Sequence, residues 1–461
     1  MAQVEIVGYG PSVEAPRSFS RFGRVMTLAF MSYGLAYLDR VNYSSAEAGG
    51  MSKTLKLSAN MAALLPALFF IGYCMFQIPA ARWASRRNVK WLIFWALIAW
   101  GGLSGLTGIV KSVPVLVVVR LLLGAVEGVV LPAMLVFLTR WFTKSERSRS
   151  NALLILTNPV VMAFMLLGSG FVIAAFDRHR ILGLAGWQWM FIVEGIPSII
   201  WAFMWAFLAV ERPADASWLT AQESGDVQRV LDAEQQEMEH ISDFWAAFRD
   251  SRVIRLALMY FCFSSAAYGF SFWLPTIVKE GTARGIAGVG VLSSLPYFVA
   301  IFTMIGVSYL SDRTLLRKPF VWGAMFIGCI SLIGSYLAGP QHFWLAFSGL
   351  MVVGSCIYCF CGPLWAWIGD MLPRNVVGES MALVNTGGSA GGFVGTYLVG
   401  ALIKITGSTG AGFVFMALCF AVAGALALSV RSRKRAASVR FDAVAQPGAL
   451  GADEAVSSPA P

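Results

Sequence analysis

Four ionisable side chains stand inside stretches that otherwise read as lipid-soluble: Asp39 and Arg40 near the end of the first apolar run, Arg120 and Glu127 within the fourth. A charge at mid-membrane costs about 2.5–3.5 kcal/mol even on the lenient insertion scale, so such groups face a bundle interior or a water cavity, where they pair or bind. Arg120 and Glu127 are two helical turns apart, which puts both on one helix face about 10 Å from each other. Both can then line one cavity, to which Arg40 brings a second guanidinium. A guanidinium is a planar fork of donors suited to a carboxylate in a partly dry site, so two of them point to an anionic ligand. Asp39 and Glu127 suit another task, because a partly desolvated carboxyl group can change protonation with pH and with occupancy of the site. The expected arrangement has Glu127 carrying a proton, while Asp39 pairs with Arg40 in the empty site and frees it on protonation. Structural alternatives stay open: Asp39 and Arg40 as residues snorkelling to water, Arg120 and Glu127 as a packing pair, Glu194 as a partner of a helix end, and Asp370 as a helix terminus.

These residues need helices to hold them. With 461 residues, 57% hydrophobic and 13% charged, the chain is too apolar for a soluble protein. Twelve runs have the length needed to cross about 30 Å of hydrocarbon: 24–45, 59–81, 91–110, 113–137, 151–176, 189–210, 253–278, 286–310, 319–339, 343–369, 378–402 and 410–430. The fold class is therefore an all-α membrane protein with twelve transmembrane helices. The expected division is an N-terminal tail (1–23), a six-helix bundle (24–210), a polar linker (211–252), a second six-helix bundle (253–430) and a disordered tail (431–461) rich in Ala, Ser and Pro. In the linker, Thr220 followed by Glu223 is a capping-box pattern that predicts a surface helix onward to Glu239.

The net charge of +10 is not a nucleic-acid footprint. With the N-terminus in the cytoplasm, 25 Lys and Arg fall at cytoplasmic segments and eight on the other side, the positive-inside bias that puts both termini in the cytoplasm. Residues 1–20 lack the apolar core and cleavage site of a signal peptide. The seven cysteines all lie in predicted spans. Cys356, Cys359 and Cys361 have no neighbouring His or carboxylate and read as packing residues, so no metal site is expected. Gly387, Gly388, Gly391, Gly392, Gly395 and Gly400 form a small face in the eleventh run, suited to close helix approach.

A weak internal repeat matches Arg86 to Arg313 at an offset of 227 and Pro132 to Pro363 at an offset of 231. Two halves related by an axis along the membrane normal place a ligand site between them near the midplane.

Ordered motifs then carry a resemblance: Tyr37-Leu-Asp39-Arg40-Val-Asn42, Arg120-Leu-Leu-Leu-Gly124-Ala-Val-Glu127-Gly128, Gly186-Trp187-Gln-Trp189-Met-Phe191-Ile-Val-Glu194-Gly195-Ile-Pro197, Glu211-Arg212-Pro213-Ala-Asp215-Ala-Ser-Trp218-Leu-Thr220, Phe272-Trp273-Leu-Pro275-Thr276-Ile277 and Ala382-Leu-Val-Asn385-Thr-Gly387. From about Phe22 to Val430 the chain resembles the major facilitator superfamily, and within it the anion:cation symporter family of organic-anion permeases. That resemblance implies two pseudo-symmetric six-helix bundles in a bacterial inner membrane, a monomer with no cofactor, and import of a small organic carboxylate by proton symport through alternating access. The cargo classes it suggests are sugar acids or hydroxy acids such as galactonate or tartrate, and aromatic acids such as phthalate or hydroxyphenylacetate.

The resemblance also implies Tyr37, Tyr73, Asn158 and Asn385 as polar groups facing the cavity, and Trp273 and Trp365 as its walls. The superfamily's loop motif survives as Asp312-Arg313. In the first half Arg86 remains, while Ala81, Ser85 and Asn88 stand where Gly, Asp and Gly are usual, which weakens a latch expected to use Arg86, Asp312 and Arg313. A proton-coupled exporter is the rival reading, disfavoured because Asn158-Pro159 is followed only by Gly168 and Gly170 where a Gly-Pro-Gly-rich motif is expected. A membrane sensor is disfavoured by short, polar tails and linker, and an enzyme by the absence of nucleotide, nucleophile or metal motifs.

Overall fold

The computed structural model describes residues 19–86, 88–238, 250–282, 284–371 and 377–430. A few helix side chains within these ranges, those of Asp39 and Ser85 included, lie outside the description. In lipid every backbone polar group must be satisfied within its own segment, and the apolar runs accordingly fold as helices. They are α1 (Phe19–Ala48), α2 (Ala59–Arg86), α3 (Val89–Ile109), α4 (Val113–Trp141), α5 (Lys144–His179), α6 (Gly186–Leu208), the surface helix α7 (Ala221–Met238), α8 (Ser251–Gly281), α9 (Ile286–Thr314), α10 (Arg317–Ala338), α11 (Phe343–Cys359), α12 (Cys361–Met371), α13 (Val377–Thr406) and α14 (Gly410–Ser429).

Eleven spans among the described residues are long and apolar enough to cross a membrane, with Phe343–Met371 counted as one. Helix α1 is not in that set, because it carries Arg21, Arg24, Arg40 and Glu47 among several Ser, Asn and Tyr residues. Its 30 residues are still ample for a crossing, and it packs against α5, α6 and α8 inside the bundle as the twelfth span. Trp95, Phe207, Phe302, Leu337 and Leu418 point outward, where only lipid can accommodate such side chains.

The tenth run was expected as one helix over 343–369, and it is broken at Phe360. Pro363 supplies the cause: its ring crowds the carbonyl four residues back, on Cys359, where α11 ends. Helix α1 also covers 19–23, residues expected in the N-terminal tail. The expected tail 431–461 lies outside the described residues, as do residues 239–249 of the linker. The Thr220–Glu223 capping box is present, with Thr220 Oγ1 donating to Glu223 at 3.0 Å and accepting the Glu223 N–H at 3.2 Å. At the start of α8 the Asp250 carboxylate accepts from the Arg252 side chain, 2.6 Å at the closest, and from its N–H at 2.8 Å. The Arg252 side chain holds this carboxyl below the usual carboxylate range.

Helix pairing repeats between the halves. In the first, α2 packs on α4, α3 on α6 and α1 on α5; in the second, α9 packs on α11, α10 on α14 and α8 on α13. Across the divide α2 meets α13, α5 meets α9 and α1 meets α8, which is the set that a two-fold axis between the halves requires.

Glycines let these pairs approach. A Cβ at Gly124 of α4 falls 1.9 Å from the Phe69 carbonyl oxygen of α2, and one at Gly72 falls 2.1 Å from the Leu121 carbonyl. Gly124→Leu is therefore expected to cost about 3 kcal/mol through overpacking. Melting of the purified protein checks this against Gly102→Leu, where a Cβ meets nothing within 4 Å; equal melting temperatures for the two variants would contradict it. In α13 the four-residue glycine series does similar work: a Cβ at Gly391 falls 2.1 Å from Phe261 O of α8, and one at Gly395 falls 1.9 Å from Ser265 O.

Candidate functional site

Helix α1 is anchored at its start, where Arg21 donates to the Trp141 carbonyl at 2.9 Å and pairs with Glu146 at 2.5 Å. Further along, Arg40 comes to lie between the two halves. Its Nη2 forms an ion pair with Glu127 of α4, and its Nη1 donates to the Tyr268 hydroxyl of α8 at 2.8 Å. Arg40 and Glu127 are both buried. Four rings surround the guanidinium, with centroids at 4.7 Å (Tyr73), 5.0 Å (Tyr37), 5.4 Å (Phe69) and 5.9 Å (Tyr268). Aromatic faces and an opposite charge offset what burial costs a cation.

Beside Arg40 lies a cavity of about 10 Å³ lined by Tyr37, Arg40, Met162, Tyr268, Ser271 and Phe272. Its walls come from α1, α5 and α8, and it holds about one water. An organic acid cannot enter until the halves separate, so the site is closed. Tyr358 of α11 lies within electrostatic reach of Tyr37 and adds a further hydroxyl on this side.

The repeat explains this lining. The 231-residue offset seen in Pro132 and Pro363 carries Tyr37 onto Tyr268, Arg40 onto Ser271 and Glu127 onto Tyr358. The charged pair of the first half thus faces neutral hydroxyl counterparts in the second. Tyr268, Ser271 and Tyr358 were not singled out in the sequence, although this offset was already available to find them. Nothing comparable marked Phe69, Met162 or the role of Phe272 as lining.

The other expected site residues distribute as follows. Tyr37 and Tyr73 are at Arg40. Asn158 of α5 is half-buried, one helical turn before Met162 and so on the same face, and its Oδ1 is buried with no hydrogen-bond partner. The expected partner of Arg40, Asp39, has its side chain outside the described residues; the guanidinium is bonded to Glu127. Arg120 does not share the cavity, contrary to expectation: it is held over Tyr43 at 4.3 Å and Phe191 at 5.5 Å, between α1 and α6 of the first half. Trp273 is not a cavity wall either, since its Nε1 donates to Thr396 O at 3.1 Å within the α8–α13 packing. Trp365 stacks edge-on against Tyr260 at 5.6 Å, and the Asn385 carbonyl accepts from Ser389; neither is among the lining residues described above.

The charges expected to form a latch stay within their halves. Asp312 pairs with Arg317, whose Nε lies 3.7 Å from Asp370. Arg313 sits over the Tyr309 ring at 5.0 Å, and Arg86 is exposed at the end of α2. In the first half Glu211 pairs with Arg140 and caps α3 by accepting the Val89 and Lys90 N–H groups, each at 3.0 Å.

Comparison with known proteins agrees with this architecture. The family model of the Major Facilitator Superfamily matches residues 29–396. A candidate tartrate transporter of Agrobacterium vitis is 31% identical over 90% of this chain and 92% of its own length. A quinolone resistance transporter of Acinetobacter baumannii is 26% identical over 84% and 88% of the two chains. Among solved structures, an inward-facing, unoccupied bacterial homologue of the human lysosomal transporter Spinster superposes with a TM-score of 0.67 at 18% identity, covering 90% of this chain and 95% of that one. The two-fold helix pairing and the site closed between the halves thus belong to a membrane transporter and not to an enzyme: the chain is a member of the major facilitator superfamily.

Proposed function

We propose that this transporter moves a small organic carboxylate together with a proton by alternating access. The observation that carries the reading is the position of Arg40, which is shared between a titratable partner in the first half, Glu127, and a hydroxyl of the second half, Tyr268. One guanidinium neutralises one carboxylate in this dry cage. When Glu127 takes up a proton, its hold on Arg40 weakens, and a substrate carboxylate replaces it. The substrate carboxylate that takes this place then enters with one proton, and neither crosses profitably alone. Tyr37, Tyr73 and Tyr268 offer hydroxyls to the bound acid, and the unsatisfied Asn158 oxygen accepts from a substrate hydroxyl. This favours a hydroxy acid, in line with the name of the Agrobacterium relative. Asp39, next to Arg40 in the chain, is proposed to relay the proton to Glu127 and to end the binding step in the protonation state in which it began. The positive-inside bias supports the reading that both termini are cytoplasmic; an inner-membrane location and a monomer are part of the same proposal.

The test is radiolabelled uptake into proteoliposomes with an imposed proton gradient, offering tartrate, galactonate, phthalate and a quinolone. Gradient-dependent accumulation of a carboxylate is expected, strongest for the hydroxy acids. Accumulation of none of the acids, or accumulation indifferent to the gradient, would contradict the reading, and outward pumping of the quinolone alone would replace it with export.

A further inference from the structure

At the end of the bundle away from Phe19, the turn after α1 and the last part of α13 border a shallow, open cleft of about 410 Å³. Ser52, Lys53, Lys56 and Lys404 line it together with Leu57 and Ala62, and no carboxylate is among its lining residues. Glu47 of α1 pairs with Lys404 Nζ at 3.0 Å and accepts from Ser52 Oγ at 2.5 Å, and Glu280 is within electrostatic reach of Lys404. Lys56 adopts a left-handed backbone conformation, φ 51°, with its N–H donating to the Lys53 carbonyl at 3.3 Å. Such a conformation costs energy in a residue with a Cβ and persists where the surrounding structure imposes it. Here it holds Lys56 beside Lys53 on the rim.

We propose that this cleft is a docking site for the carboxylate anion, occupied before the central site, in which the anion competes with Glu47 for Lys404. The proposal rests on the reading of the cargo as a carboxylate. The cleft has the volume of a small-molecule site, and a concave surface lined by one sign of charge concentrates ions of the opposite sign. Its second property is position. The Glu47–Lys404 pair joins α1 of the first half to α13 of the second, and Lys279 of α8 donates nearby to the Ala48 carbonyl at the end of α1. Close packing adds to the closure at this end, where a Cβ on Gly290 of α9 falls 3.0 Å from the Gly170 Cα of α5. An anion that draws Lys404 away from Glu47 removes one of the ties holding the halves together on the side from which it arrives. Docking and opening are thereby linked.

The experiment is competitive acetylation of the full chain in lipid nanodiscs by a water-soluble N-hydroxysuccinimide ester, read lysine by lysine by mass spectrometry. The probes are L-tartrate and succinate, with erythritol as the uncharged control and chloride keeping ionic strength constant. Both dianions are expected to slow acetylation of Lys53, Lys56 and Lys404 relative to Lys111, and erythritol is not. The same protection is expected in the double variant Arg40→Gln, Glu127→Gln, whose central site has lost its anion-binding charge. Glu47→Gln releases Lys404 from its competitor, so the half-protecting tartrate concentration should fall about two- to fivefold. Unchanged reactivity of the three lysines under both dianions would overturn the docking site, and an unchanged half-protecting concentration in Glu47→Gln would overturn the competition. If protection holds while uptake shows no carboxylate cargo, the central reading fails alone; if carboxylate uptake is intact without protection, the docking site fails alone.

Discussion

Glu127→Gln is expected to reduce gradient-driven accumulation of the substrate to simple equilibration, an internal concentration no higher than the external one, while exchange of labelled for unlabelled substrate continues. The amide keeps the size and a hydrogen-bond acceptor for Arg40 but has no proton to carry and no charge to compete with the substrate. Binding should therefore persist and lose its pH dependence. In the parent protein, affinity falls about tenfold per pH unit once Glu127 is ionised in the empty site, because each binding event must then take up one proton. In the variant this slope is expected to be flat, and affinity at alkaline pH should exceed that of the parent. Accumulation above equilibrium by the variant would show that Glu127 is not the coupling group.

The second large effect concerns Arg40. Arg40→Ala removes the guanidinium paired with the buried Glu127 carboxylate, a change that costs about 3–5 kcal/mol when one partner of a buried pair is removed. The protein should melt at a lower temperature, and substrate affinity should fall by about 100-fold or more with the loss of charge-assisted hydrogen bonds. Arg40→Lys separates charge from geometry. It keeps the cation but presents a point donor in place of the fork that now reaches Glu127 and Tyr268 together, and binding is expected to remain about tenfold or more below the parent. The double variant Arg40→Gln, Glu127→Gln removes both charges and should melt above Arg40→Ala, yet bind no carboxylate at the central site. Calorimetry and thermal melting separate these outcomes, and a double variant less stable than Arg40→Ala would contradict the pairing.

The membrane architecture was readable because it is written in length and polarity. Runs of about 20 apolar residues permit little but a helix, and the twelve runs correspond to the helices found, with Pro363 breaking the tenth. The charged members of the site were also conspicuous, since a charge in lipid needs a reason. Partnerships were harder to read. Asp39 and Arg40 suggested a pair because they are adjacent in sequence, whereas the partners described for Arg40, Glu127 and Tyr268, come from other helices. Arg120 has the right spacing to share a face with Glu127, but spacing along one helix says nothing of what neighbouring helices present, and Tyr43 and Phe191 enclose it. Ser271 escaped notice because a serine hydroxyl in an apolar helix can satisfy itself on its own backbone, and Tyr268 because a tyrosine in a membrane helix reads as readily as packing or an interface anchor. Only the internal repeat, applied residue by residue, marks them as the counterparts of Tyr37 and Arg40.

The central claim is that Arg40 exchanges one carboxylate for another as Glu127 takes up a proton. Its most direct test is the proton uptake that accompanies substrate binding to the purified protein in weakly buffered solution, above the pH at which Glu127 ionises in the empty site. The account predicts about one proton taken up per substrate bound by the parent, and none by Glu127→Gln. Substrate binding with no proton uptake in the parent, or with the same uptake in the variant, would contradict it.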